Sequence, residues 1–170
     1  MHVMIATDGS LDTQKMSALA ASLTADSGHV TVFSVVEVPR QMLTEMRHAA
    51  TDATAAAAGE LEPEYRRTQA IVDPVTHWDG DDAVILRYVN RIVATRTADL
   101  IAELDEAGVE YTVVGVEGEN AARSVLAAAA EYQPDVLCLG THGMGRFEGM
   151  LGSLSTKIAR LAPCSVLLVR

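Results

Sequence analysis

Five short apolar runs, "HVMIA", "HVTVFSVVEV", "VEYTVVGV", "DVLCLG" and "CSVLLV", alternate along the chain with stretches whose apolar residues recur at helical spacing. That alternation constrains the fold more than any other feature. Strands separated by helices cannot pair as hairpins. Each helix must carry the chain back over the sheet, which makes the strands parallel and covers both faces. "DVLCLG" is apolar at successive positions, as a central strand buried on both faces must be. The expected fold is α/β: a three-layer sandwich around a five-stranded, mostly parallel, doubly wound sheet of Rossmann-like type.

The helix boundaries are also legible. "TDGS" after the first run makes a turn, with Ser10 or Asp12 as the cap of a helix in which Met16, Leu19, Ala20 and Leu23 recur until Gly28. Val89, Val93, Leu100 and Leu104 share one face of a long helix beginning at Asp82, and Gly108 suits a left-handed stop. Asn120 caps a helix that runs through Val125, Ala128, Ala129 and Tyr132 to Pro134. Leu154, Ile158 and Leu161 are expected to form the buried face of a last helix, ended by Pro163. Segment 39–82 reads as a variable helical and loop insert within one domain spanning residues 1–170, a length that suffices for a single core.

The chain carries 13 Lys and Arg against 23 Asp and Glu, a formal net charge of -10, and its lysines are Lys15 and Lys157 alone. Such a surface repels nucleic-acid backbones and anionic membranes, so neither is expected as a partner. The same acidic balance keeps a protein hydrated in concentrated salt, which points to a halophilic, high-salt cytosol. "MHVMIATDGS" lacks the basic start and apolar core of a secretory signal, and no apolar run is long enough to span a bilayer; a cytoplasmic location is expected. Cys138 and Cys164 fall in apolar strand-like runs without Cys-x-x-Cys spacing. They read as buried free thiols, with a redox pair on neighbouring strands as the alternative.

Five of the chain's 12 glycines lie in "GTHGMGRFEGMLGSLSTK", Gly140 to Lys157, just before and at the start of the last helix. A helix N-terminus offers unpaired N–H groups and partial positive charge, and glycine lets an anion approach them closely. Gly152 and Ser153 stand at that terminus, with the hydroxyls of Ser155 and Thr156 nearby. Gly140 and Gly143 flank the end of the fourth strand. The segment reads as a phosphate cradle, or else as a set of plain turns. It is neither a Gly-x-x-x-x-Gly-Lys-[Ser/Thr] loop nor a Gly-x-Gly-x-x-Gly dinucleotide turn, which excludes a P-loop motor and a nicotinamide dehydrogenase.

The order of elements, with "MIATDGS", "GTHG", "LGSLSTKIAR" and "PCSVLLV", resembles the universal stress protein A family from end to end, apart from the middle insert. The ATP-binding branch of that family carries Gly-x2-Gly-x9-Gly-[Ser/Thr]. Here Gly140-x2-Gly143 and Gly152-Ser153 are present, with eight residues between Gly143 and Gly152 in place of nine. The resemblance implies an adenine nucleotide alpha hydrolase-like fold that binds ATP or a related adenine nucleotide. Ala6 and Val35 would contact the base, Asp8 the ribose hydroxyls, and Gly140 would lie under the ribose. Gly143, Gly152, Ser153 and Leu154 would hold the phosphates. A carboxylate suits the ribose role, because it accepts two hydrogen bonds from a vicinal diol; from its local sequence alone, Asp8 reads as a turn or cap residue. The missing residue withdraws about a third of a helical turn from the loop. Either Gly145 and Gly149 absorb that shift, or the grip on a triphosphate is lost. The family's glycine-x-proline is loosely matched by "GEN", Gly118 to Asn120. Any Mg or Mn would be bound through the phosphates. The resemblance also implies a homodimer formed through the last strand, whose "VLLV" is apolar on both faces and leaves an edge open to pairing.

No general base, arginine finger or metal-carboxylate set accompanies the cradle. The expected role is a stress-response regulator or sensor acting through nucleotide-dependent conformation and partner contacts, with slow ATPase activity at most. Two alternatives stand beside it: an adenine-nucleotide hydrolase or transferase using Asp8 or His142, and a nucleotide-free dimer acting through protein contacts. His142 has no carboxylate beside it in sequence and reads as loop packing. His77, Asp79, Asp81 and Asp82 in "HWDGDD" match no zinc or calcium spacing and read as a solvated turn. No catalytic residue or metal ligand is assigned.

Overall fold

The computed structural model describes residues 1–25, 27–38, 82–141 and 152–170. Strands β1 (His2–Ala6), β2 (His29–Val36), β3 (Tyr111–Glu117), β4 (Val136–Gly140) and β5 (Ser165–Val169) form one sheet in the order β3-β2-β1-β4-β5. Every pairing is parallel, so the expected α/β sheet holds. Helices α1 (Thr13–Thr24), α2 (Asp82–Glu106), α3 (Ala121–Tyr132) and α4 (Ser153–Leu161) supply the outer layers. The chain steps outward from β1 to β3, then returns to place β4 on the other side of β1. The direction of winding therefore reverses between β1 and β4.

Alternation along each strand sorts the core onto two faces. Val3, Ile5, Val32 and Val113 meet Met16 and Ala20 of α1 and Val89, Val93, Leu100 and Leu104 of α2. Met4, Phe33, Val114, Leu137 and Leu139 meet Ala122, Val125 and Ala129 of α3 and Ile158 of α4. A fully buried side chain of this size contributes about 2 kcal/mol. Cys138 belongs to the first face and Cys164 packs against the second. Both are free in the structure; Cys138 is buried as expected, whereas Cys164 is only partly buried.

The caps follow their local chemistry. Asp12, rather than Ser10, caps α1, its Oδ1 accepting the N–H of Lys15 at 3.1 Å. Asn120 caps α3 by accepting from the N–H of Arg123 at 3.0 Å. Gly108 stands after α2 at φ +66, the left-handed region that its lack of a side chain tolerates. The expected buried face of α4 is corrected in part. Ile158 is fully buried, but Leu154 is 37% and Leu161 60% exposed. The helix is rotated toward Ser155, which is buried, and Ala162, which packs into the core. Of the insert expected over 39–82, residues 39–81 lie outside the described residues, and so do "HWDG" and Asp81. Among the described residues no helix is long and apolar enough to cross a membrane.

Candidate functional site

The ladder between β1 and β2 continues one step beyond Ala6, with the Thr7 N–H donating to the Phe33 carbonyl at 2.9 Å. The chain then turns sharply. Thr7 Oγ1 accepts from the Gly9 N–H and Asp8 Oδ1 from the Ser10 N–H, both at 3.0 Å. Asp8 thus makes the turn-stabilising bond expected of an Asp in this position. Gly9 sits at φ +90, and a Cβ there would meet the Arg96 backbone at 3.3 Å. Both its conformation and the approach of α2 require a glycine.

The neighbouring strand ends in a second loop. The Thr141 N–H donates to the Val169 carbonyl at 3.0 Å, and the Gly152 N–H returns to the Thr141 carbonyl at 2.9 Å. The glycine-rich segment therefore leaves and rejoins the sheet at one point, so α4 begins beside the end of β4. Ser155 fastens it there, its hydroxyl donating to the Gly140 carbonyl at 2.8 Å. Gly152 is the N-cap residue, at φ -58 and ψ 150, and supplies no side-chain cap. A helix start of this kind offers its first-turn N–H groups and the positive end of its dipole to an anion.

β1 and β4 pair directly, with Ala6 opposite Leu139. The Thr7–Ser10 turn and Gly140–Thr141 accordingly follow adjacent strand ends, the strands about 5 Å apart, with Gly152 bonded to Thr141. Ala6 and Val35 are each 8% exposed, and both pack on the face covered by α3 and α4. Ala6, Asp8, Val35, Gly140, Gly152, Ser153 and Leu154 all lie at or next to the carboxyl edge of the sheet. Gly143 lies outside the described residues, together with His142, Gly145, Gly149 and the rest of the shortened loop. Among the described residues no group of three or more His, Cys, Asp or Glu is arranged to hold a metal ion.

The family model of the Universal stress protein family matches residues 1–170. The chain belongs to the universal stress protein family. No curated protein matches its sequence. Among solved structures it is similar to the universal stress protein UspA of Lactobacillus plantarum, 13% identical, with 100% of this chain and 97% of that one covered and a TM-score of 0.59. It is also similar to a universal stress protein in complex with cAMP, at 16% identity, coverage of 100% and 96%, and TM-score 0.54. A third is a universal stress protein family protein of Arabidopsis thaliana with AMP bound, at 14% identity, coverage of 99% and 90%, and TM-score 0.51. At these identities the likeness is one of fold.

Two further residues of this universal stress protein stand at the same edge. Gly118, read only as part of a loose motif, approaches Val35 so closely that a Cβ would meet Val35 Cγ1 at 3.1 Å and collide with Ser124 Oγ. A glycine just past a strand was the available signal. Arg96, in the middle of α2, donates from Nη1 to the Val35 carbonyl at 2.8 Å. Nothing in the helical periodicity distinguishes it from a solvated arginine, because its partner is 61 residues away in sequence.

Proposed function

We propose that this chain binds an adenine nucleotide across the ends of β1 and β4, as a stress-response regulator or sensor whose conformation and partner contacts follow the nucleotide. The observation that carries this reading is the pairing of β1 with β4, whose ends are followed by the Asp8 turn and by the station from which α4 starts at Gly152. Open α/β sheets bind ligands where the winding reverses, outside the carboxyl ends of the strands. Family membership supports the same reading, as do the similar structures solved with cAMP and with AMP.

Ala6 and Val35 offer apolar surface to the base, and Asp8 offers a carboxylate to the ribose diol. Gly140 and Gly143 allow the ribose and first phosphate to approach, while Gly152, Ser153 and Leu154 present the N–H groups of α4 to the phosphates. A divalent ion, Mg or Mn, would arrive with those phosphates. The open edge of β5 suits pairing with a second copy, giving a homodimer.

Equilibrium dialysis with labelled ATP tests the site, with Gly152→Asp as the control. An aspartate is itself a good N-cap, so the variant keeps its helix while its carboxylate takes the N–H groups and repels phosphate. Saturable binding by the parent and its loss in Gly152→Asp are expected. No saturable binding by the parent, with ATP, ADP or AMP, sinks the reading.

A further inference from the structure

We propose that His2 and His29 form a proton-operated latch on the amino edge of the sheet, opposite the candidate nucleotide site: with both rings neutral it holds the starts of β1, β2 and β4 together, and proton uptake in acid releases them. The two residues open β1 and β2 and are register partners. Alternation puts His2 on the face of Met4 and Ala6, and His29 on that of Phe33, so both rings lie on the side covered by α3 and α4. Their centroids are 5.8 Å apart, with the planes tilted by 42°.

The hydrogen bonds assign a neutral ring to His2. It bonds the backbone of Tyr132, the last residue of α3, whose carbonyl can only accept, so His2 donates there. Its Nε2, 2.8 Å from the buried Thr31 hydroxyl, is then the acceptor. His29 Nε2 lies 3.1 Å from Thr112 Oγ1, and Thr112 is the register partner of Thr31. The main chain completes the latch. The His2 N–H donates to Asp135 Oδ2 at 2.7 Å, and its carbonyl accepts from the Asp135 N–H at 2.9 Å, which ties β1 to the residue before β4. The His29 N–H donates to the Met1 carbonyl at 3.0 Å.

A proton on His2 makes Nε2 a second donor, and the buried Thr31 hydroxyl loses its acceptor. A charge on each ring adds repulsion within a partly desolvated pair. The charged groups facing His2 are the Met1 ammonium, which opposes a cation, and Asp135, which favours one. Burial and His29 outweigh Asp135 and the Tyr132 backbone, so the balance keeps His2 below its ordinary range. The closed edge therefore refuses a proton that the open edge accepts, and acid favours the open edge.

Amide hydrogen exchange followed by NMR on the full chain, from about pH 7.5 to about pH 5, tests this for the parent, His2→Gln and His29→Gln. In the parent, protection at the His29 and Asp135 amides is expected to fall, by up to about tenfold per pH unit for each proton the open edge gains. The Thr7 and Gly118 amides, at the carboxyl edge, should keep theirs. Both variants should lose most of the acid slope at the amino edge, whatever their absolute protection. His29→Gln should also raise the midpoint of the His2 ring-proton titration, which a merely structural role for His29 would not do. Protection independent of pH in the parent, an equal slope at Thr7 and Gly118, or an unmoved His2 midpoint in His29→Gln overturns the proposal.

Discussion

Val93 of α2 lies over Gly115 of β3 so closely that a Cβ on Gly115 would stand 2.5 Å from Val93 Cγ2. Gly115 pairs with Ser34 of β2, and the long helix can settle this deeply only because the strand lacks a side chain there. Gly115→Ala is expected to cost about 1 to 3 kcal/mol through overpacking. Val93→Ala alone costs about 1 to 2 kcal/mol in lost burial. The double variant should lose less than the sum, by about 1 kcal/mol, since the new methyl group fills the space vacated by the valine. Urea unfolding of the four proteins checks the coupling, and strict additivity would disprove the contact.

Ser155 carries the junction of α4 with the sheet. Its buried hydroxyl bonds the Gly140 carbonyl, so Ser155→Ala leaves that carbonyl short of a partner at a cost of about 1 to 2 kcal/mol. Ser155→Thr keeps the donor and should retain most of that stability. A threonine variant as unstable as the alanine variant would show that the space, and not the hydrogen bond, matters.

At the other edge of the sheet, His2 and His29 are register partners with ring centroids 5.8 Å apart. Burial, and after it repulsion by His29, holds the His2 pKa below 6.5, against opposing pulls from the Tyr132 backbone and Asp135. A base with a lowered folded pKa binds fewer protons folded than unfolded. Its contribution to stability therefore falls as the medium is acidified below 6.5 and levels off above that value. His2→Gln should flatten the stability profile on the acid side of 6.5 while leaving the profile above it parallel to that of the parent. Denaturant melts at a series of pH values read this directly; an unchanged acid slope would assign the titration elsewhere.

The two thiols should differ in reactivity. Burial first, and Cys164 second, push the Cys138 thiol up to about 11. Cys164 is also raised by burial but is partly exposed. A thiol reagent at neutral pH should modify Cys164 first and reach Cys138 only as fast as the protein opens. Mass spectrometry should find the same intact mass before and after reduction. Rapid modification of Cys138 would contradict its place between the sheet and the helices α1 and α2.

The sequence by itself determined what depends on neighbours along the chain. Apolar runs marked five strands, helical spacing placed Val89 to Leu104 on the core side of α2, and Asn120 and Gly108 marked their helix ends, because periodicity and capping act within a few residues. The glycine pattern around Gly140 and Gly152 pointed to the family for the same local reason. Only the tertiary structure decided that β1 and β4 are neighbours, which brings the Asp8 turn to the start of α4. It also turned Ser155 inward at the expense of Leu154 and Leu161, since a hydrogen bond to Gly140 and the packing of Ile158 set that helix's rotation. Arg96 on the Val35 carbonyl and Val93 over Gly115 belong to the same class. Such contacts join residues far apart in sequence, and the local pattern carries no trace of them until the layers pack.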